Sequence, residues 1–338
     1  MNSPITLAVA GTTAHTKKCA QALIKSKKFQ LAWALTPQAK PSGKNQEKKI
    51  NPFHEWTQEQ TDGVILVKNT INSDTKKSIE ALNNKNPAQL LLVVDFGYSI
   101  PNWLLQLPTI APVNIHPSNL PRWRGSSPGQ YLLLAGDKSS AVTVMKLNNQ
   151  WDQGPIIKQI PFEIEEKWNY QNYYQHSFEL VAKELVKIIL DFVKNSSVAQ
   201  PQAINSPTQL ALKIKKSDAF LPWPIISQFM SQKQLGQKPQ ELDLEEALKL
   251  LSNKSLLKKH LKTTIVDEWP ELIERASRAF SPWPKLWTKI PTKKGEKRMQ
   301  LLSLAPVLSE SKEGLLLEKV KIEGQDVALW NQVKNILS

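Results

Sequence analysis

Short apolar runs separated by polar, turn-rich stretches dominate the first 194 residues, and their lengths alternate between strand-like and helix-like. Ile5–Ala10 predicts a buried strand, Gly11-Thr12-Thr13 a turn, and residues 14–26 a helix. Phe29–Leu35 and Val64–Val67 predict further strands, Asp74–Asn83 a helix with Asp74 as its N-cap, and Gln89–Val94 the central strand. Pro112–Ile115 predicts another strand, Pro128–Ala135 a helix, Ala141–Leu147 and Pro155–Ile160 a strand pair, and Asn169–Val193 a long helix. Strands alternating with helices imply an α/β fold with an open, largely parallel sheet. The pattern breaks at residues 195–208, a polar stretch with two prolines that reads as a linker between a domain over 1–194 and another over 209–338. In the second part, residues 241–262 predict short Lys-rich helices, and residues 298–304, 314–322 and 326–330 predict short strands of a small β-barrel or partial barrel. No internal repeat is evident.

Composition places the chain among ordinary folded proteins: of its 338 residues 41% are hydrophobic and 22% charged. The one cysteine, Cys19, forbids an internal disulfide, and the five histidines show no zinc spacing, so no metal is expected. No apolar run reaches the ~20 residues that span a bilayer. The first strand begins at once, leaving no room for a signal peptide, so a soluble, reducing, cytoplasmic setting is expected.

The formal charge of +14 is concentrated. Residues 1–50 carry nine lysines against Glu47 alone, and residues 275–298 carry eight basic residues against Glu296 alone. Two such patches fit a polyanion footprint, because each neutralised phosphate releases counterions, and they also fit a solvated charged face. Arginine is scarce, at five against 39 lysines, yet Arg122 and Arg124 fall within one pentapeptide. A planar, bidentate cation is selected there rather than bare charge.

The candidate chemistry lies in residues 112–155. Asn114 and His116 share a face at a strand end, where open α/β sheets place their sites. Asp152, in Trp151-Asp152-Gln153-Gly154, sits on a turn from which its carboxylate can reach His116. Without a Ser, Cys or metal, this set suits transfer at a carbonyl with no covalent enzyme intermediate. An Asn amide steadies an oxyanion, a His shuttles a proton, and an Asp orients the His. The same residues fit a structural histidine and a plain Asp-x-Gly turn, and spacing alone does not separate the two.

Asn114-Ile115-His116-Pro117-Ser118-Asn119-Leu120-Pro121-Arg122-Trp123-Arg124-Gly125, with Asp152-Gln153-Gly154 beyond it, resembles the 10-formyltetrahydrofolate-dependent formyltransferase family. The resemblance is nearest to the branch that acts on methionyl-tRNA. It extends to Val94-Asp95-Phe96-Gly97 with Pro101, to Gly136-Asp137 with Val142–Met145, to Lys213–Asp218 with Trp223, and to Arg278-Ala279-Phe280-Ser281-Pro282-Trp283-Pro284. It covers about residues 5–330, with an apparent insertion near 228–265.

The resemblance implies a Rossmann-like formyltransferase domain over 1–194 and an OB-like, tRNA-binding barrel domain over 209–338. It implies Asn114, His116 and Asp152 as the catalytic trio, and Ser118, Asn119, Leu120, Pro121, Phe96 and Gly97 as contacts to the folate co-substrate. Lys40, Lys44, Lys48, Lys49, Arg275, Lys293, Lys294 and Arg298 become candidates for contact with methionyl-initiator tRNA, and a monomer is expected. The competing readings are a sugar-nucleotide N-formyltransferase, and a catalytically dead RNA-binding relative. The chain departs from the family pattern at Asn119, usually Leu; at Asp95, usually small and apolar; and at Gly11-Thr12-Thr13-Ala14-His15, usually Gly-Thr-Pro with a following Phe. It also has lysines where the family's basic loop uses arginine, and its barrel is short.

Overall fold

The computed structural model describes residues 3–39, 41–42, 47–235, 243–253, 255–307 and 314–337. The chain divides into two compact units. The first comprises residues 1–128, 139–163 and 174–211, and the second residues 129–138, 164–173 and 212–338.

The first unit is built on seven strands: β1 (Ile5–Gly11), β2 (Phe29–Pro37), β3 (Val64–Val67), β4 (Leu90–Val94), β5 (Ala111–His116), β6 (Ser139–Lys146) and β7 (Ile156–Glu163). Their order across the sheet is β3-β2-β1-β4-β5-β6-β7. The first five run parallel, whereas β6 and β7 are antiparallel to their neighbours. The chain starts in the middle of the sheet and winds outward in both directions, which places the β1, β4 and β5 ends side by side. Alternation along β1 explains the two layers. Leu7 and Val9 enter the core formed with Cys19, Leu23, Phe178, Val181 and Leu185, while Ala8 and Ala10 enter the opposite core with Trp33, Leu35, Ile79 and Leu91.

Most predicted elements stand within one or two residues of their expected bounds. One detail differs: the helix Ser73–Lys85 is capped by Asn72 rather than Asp74, the Asn72 side chain accepting from the Thr75 N–H. Asp74 instead lies in the first turn, where its charge meets the helix's positive end.

The stretch expected as a linker is bonded to the first unit. Gln200 forms a two-way bridge with Ile156, and Ser206 Oγ donates to the Pro121 carbonyl. Arg124, 5% exposed, donates to the Ile204 and Ala203 carbonyls and to Gln202 Oε1. This is the use of arginine that its scarcity suggested: one planar fork closes three acceptors that a lysine cannot span. Arg124→Lys is therefore expected to cost about 1.5–3 kcal/mol, the range for hydrogen bonds to a charged group, read as a lower urea midpoint.

In the second unit, β8 (Trp287–Ile290), β9 (Lys297–Val307), β10 (Gly314–Ile322) and β11 (Val327–Leu329) form an antiparallel sheet in sequence order. Register shifts along β9 bend it as strands of small barrels bend. The Lys-rich region predicted to be helical contains Leu244–Lys249 and Leu256–Thr263, and the amphipathic helix Trp269–Ala279 buries Trp269, Leu272, Ile273 and Ala276.

Candidate active site

Asn114 and His116 lie on the last residues of β5, alternating with Val113 and Ile115, which belong to the core. They therefore face the other side of the sheet. His116 is 5% exposed, and each of its ring nitrogens meets an acceptor. Nε2 is 3.1 Å from the Trp123 carbonyl, and Nδ1 is 3.7 Å from Asp152 Oδ1. The first contact is within hydrogen-bond distance, whereas the carboxylate faces the ring without a direct hydrogen bond. Asn114 is half-buried, and its side-chain amide makes no hydrogen bond to any described residue.

Asp152 is fixed from two sides. Its Oδ2 accepts from the Gly125 N–H at 2.8 Å, and its carbonyl accepts from Gln202 Nε2 at 2.9 Å. The turn that carries it admits no side chain at Gly154, where a Cβ would lie 1.8 Å from the Lys146 carbonyl oxygen. Gly125 is equally constrained: its φ is +119°, and a Cβ would lie 2.5 Å from the Ala211 carbonyl oxygen.

The loop after β5 is held from within. Ser118 is fully buried, its hydroxyl donating to the Arg122 carbonyl while its own carbonyl accepts from Thr143. Leu120 is also buried, and its carbonyl accepts from Gln159. The accessible side chains of this expected folate segment are thus the exposed Asn119 and the half-buried Pro121. Across the β4 end, Phe96 packs on Tyr98 with ring centroids 5.3 Å apart, and Gly97 is exposed with open space where a Cβ would point.

Next to these residues sits a group the spacing argument did not reach. Asp95 follows β4, whose Val93 pairs with Asn114. Its φ is +47°, uncommon for a residue other than glycine. Asp95 Oδ2 accepts from Thr13 Oγ1 at 2.7 Å, and Thr13 caps the helix Ala14–Lys25 with the same hydroxyl. His15 stacks on Phe178 at 4.6 Å. Burial holds the Asp95 carboxyl above the usual carboxylate range, against the opposing pull of His15, Thr13 and His116. Burial likewise lowers His15, opposed by Asp95. Cys19 is fully buried, and burial pushes its thiol well up despite Lys18, so the neighbouring lysines do not activate it.

The basic residues fall in different surroundings. Lys40 and Lys44 lie outside the described residues, and Lys48 and Lys49 are exposed. In the second unit, Lys293 and Lys294 are exposed on the β8–β9 turn. Arg275 is half-buried, 3.9 Å from Glu271, and Arg298 lays its guanidinium over the Trp287 ring at 4.3 Å. Phe280 is wholly buried, whereas Trp283 is 47% exposed. Among the described residues no helix is long and apolar enough to cross a membrane, and no group of three His, Cys, Asp or Glu is placed to hold a metal ion.

The fold and the strand-end cluster together define a class. Residues 4–189 match the formyl transferase family, more than half of the chain, so the chain belongs to that family. A methionyl-tRNA formyltransferase of Wolbachia pipientis subsp. Culex pipiens (strain wPip) is 34% identical over 165 residues, which are 49% of this chain and 54% of that relative. The match thus spans about half the length of that relative. Among solved structures, methionyl-tRNA formyltransferase from Clostridium thermocellum superposes with a TM-score of 0.50 at 13% identity, covering 94% of this chain and 98% of that one. HypX from Aquifex aeolicus, in complex with tetrahydrofolic acid, gives a TM-score of 0.54 at 10% identity, over 98% of this chain and 47% of that one. These two share the fold with this chain.

Proposed function

We propose that this protein transfers the formyl group of 10-formyltetrahydrofolate to the amino group of methionyl-initiator tRNA. The observation that carries the reading is the cluster at the β5 end. It combines an unpartnered Asn114 amide, a His116 ring bracketed by two acceptors, and an anchored Asp152 carboxylate. The resemblance to the methionyl-tRNA branch in sequence supports the choice of acceptor.

The residues fit the folate co-substrate. The free Asn114 amide supplies a donor, the Phe96 and Tyr98 rings offer an apolar wall, and Gly97, Asn119 and Pro121 leave accessible backbone and side chain beside it. In the reaction the acceptor's free amino nitrogen attacks the formyl carbon, the oxyanion collapses as the bond from that carbon to the folate N10 breaks, and N10 takes the proton that the attacking nitrogen loses. Asn114 Nδ2 donates to the oxyanion that forms, the His116 ring stabilises it, and the Asp152 carboxylate facing that ring keeps it oriented. No covalent bond to the enzyme is required. Lys40, Lys44, Lys48 and Lys49 in one unit, and Arg275, Lys293, Lys294 and Arg298 in the other, are the residues assigned to the tRNA. Lys293 and Lys294, both exposed, suit direct phosphate contact, while Arg275 and Arg298 would meet the tRNA from positions already steadied by Glu271 and Trp287.

Replacing Lys44, Lys48 and Lys49 together by Ala is expected to weaken tRNA binding and flatten the log–log salt dependence by up to about three units, since each lost phosphate contact removes nearly one. An unchanged slope removes this loop from the interface. The function itself is tested by incubating the protein with 10-formyltetrahydrofolate and charged initiator tRNA, with dTDP- and UDP-amino sugars in parallel. N-formylmethionyl-tRNA is the expected product. A formylated amino sugar alone would install the sugar-nucleotide reading, and tRNA binding without any product would install the dead RNA-binding relative.

A further inference from the structure

The seven-stranded sheet ends on β3, which pairs with β2 on one side and with no described strand on the other. The Gly63 carbonyl accepts from the Ala34 N–H and the Val67 carbonyl from the Gln38 N–H, both at 2.8 Å. Residues 63, 65 and 67 therefore turn their backbone groups to β2, and Val64 and Leu66 turn theirs away. Among the described residues no partner meets those outward N–H and C=O groups. A groove of about 660 Å³ runs along this edge, walled by Thr75, Ser78 and Leu82 of the helix Ser73–Lys85. Leu66 lines it and is 42% exposed. Unpaired backbone beside an exposed leucine is a template for a further strand.

The residues along the edge select which strand. In Asp62-Gly63-Val64-Ile65-Leu66-Val67-Lys68 the two charges stand equally far from Ile65 and are opposite in sign. An antiparallel second copy on a two-fold axis at Ile65 sets residue 64 opposite 66 and residue 62 opposite 68. Val64 and Leu66 are the residues whose backbone groups face outward, so each such pair exchanges two hydrogen bonds. Leu66 of each copy meets the half-buried Val64 of the other. Asp62 and Lys68, both exposed and both lining the groove, meet as opposite charges at each end. A slip of two residues in either direction faces Asp62 with Thr70 or Leu66 and Lys68 with Val64 or Gln60, and both charge pairs are lost. Edge charges of one sign would hold two copies apart; this arrangement draws them together.

We propose that the β3 edge is a homodimer interface, at which two copies of this chain pair antiparallel about a two-fold axis at Ile65 and join their sheets into one. The contact is isologous, so it closes on a dimer. Built from one short strand of each copy, it belongs with small, reversible interfaces, and the dimer depends on concentration. The monomer expected from the sequence is the dilute form. β2, β1 and β4 stand between β3 and the Asn114–His116 strand, so the pairing leaves that cluster open.

Sedimentation velocity of the full chain at about 1–200 μM and low salt tests the pairing. The wild type should move from monomer to dimer as concentration rises. Asp62→Lys alone and Lys68→Asp alone each place like charges at both ends, and each should raise the dissociation constant about tenfold or more. Mixing the two variants restores opposite signs at both ends, so a mixed dimer should form at concentrations where neither variant pairs with itself. Leu66→Pro removes the outward N–H and spares the ladder to β2, so it should abolish the dimer while the thermal midpoint stays near that of the wild type. Should that variant fail to fold, the charge variants decide alone. A wild type that stays monomeric throughout overturns the second copy as occupant and leaves the edge to a strand of another chain. A dimer indifferent to the single charge changes, or single variants that form no mixed dimer, would overturn the pairing at β3.

Discussion

Turnover of methionyl-tRNA should fall about 10³-fold when His116 is replaced by Ala, combining the loss of an oxyanion donor with the loss of a proton carrier. Affinity for the tRNA should change by less than about threefold, because phosphate contacts supply most of such affinity and His116 is 5% exposed at a strand end. The distinction matters because the same ring also ties β5 to the following loop through the Trp123 carbonyl. A variant that merely loosened that loop would lose both substrates and melt earlier. His116→Gln serves as the control, since its amide can donate to the Trp123 carbonyl without shuttling a proton. It should recover the melting temperature of the wild type but little of its turnover. Turnover restored along with stability would assign His116 a structural role.

The second large effect belongs to Asp152. Its two oxygens do separate things: Oδ2 accepts from the Gly125 N–H, and Oδ1 faces His116 at 3.7 Å. Asp152→Asn keeps an oxygen for Gly125 but removes the negative charge that faces the His116 ring. It should lower turnover about 10²–10³-fold with little change in stability. Asp152→Ala removes the anchor as well and should add an unfolding cost of about 1.5–3 kcal/mol. Equal stability of the two variants would mean that the Gly125 contact contributes nothing to the loop, and full activity of Asp152→Asn would remove the charge from the mechanism.

The layered sheet was legible because burial writes itself into the chain at fixed periods. Leu90–Val94 is apolar throughout, as a strand covered on both faces must be, and Val113 and Ile115 alternate with Asn114 and His116, as a strand carrying a site at its end must do. What escaped was whatever depends on residues distant in sequence. The polar stretch after residue 194 has no period to read, yet Gln202 holds the Asp152 and Gly154 carbonyls and the neighbouring carbonyls close on Arg124. The scarcity of arginine marked Arg124 as special without naming its partners. Thr13, His15 and Asp95 were visible only as separate departures from a family pattern. Their proximity is a property of the fold: β1 and β4 are adjacent, so the turn after one meets the residue following the other. The N-cap of Ser73–Lys85 was misplaced by two residues for a simpler reason, since Asn72 and Asp74 both suit the position and only the side chain's reach to Thr75 decides.

The account stands most directly on where the formyl carbon goes. A ¹³C-labelled formyl group on 10-formyltetrahydrofolate, followed by NMR in the presence of the protein, charged initiator tRNA and competing amino-sugar nucleotides, reports its destination in one experiment. The account predicts that the label leaves the folate and appears as the formamide of methionyl-tRNA, and that it stays on the folate when the acceptor's amine is already acetylated. Label that remains on the folate with every acceptor present, or that passes to an amino sugar and never to the tRNA, would contradict it.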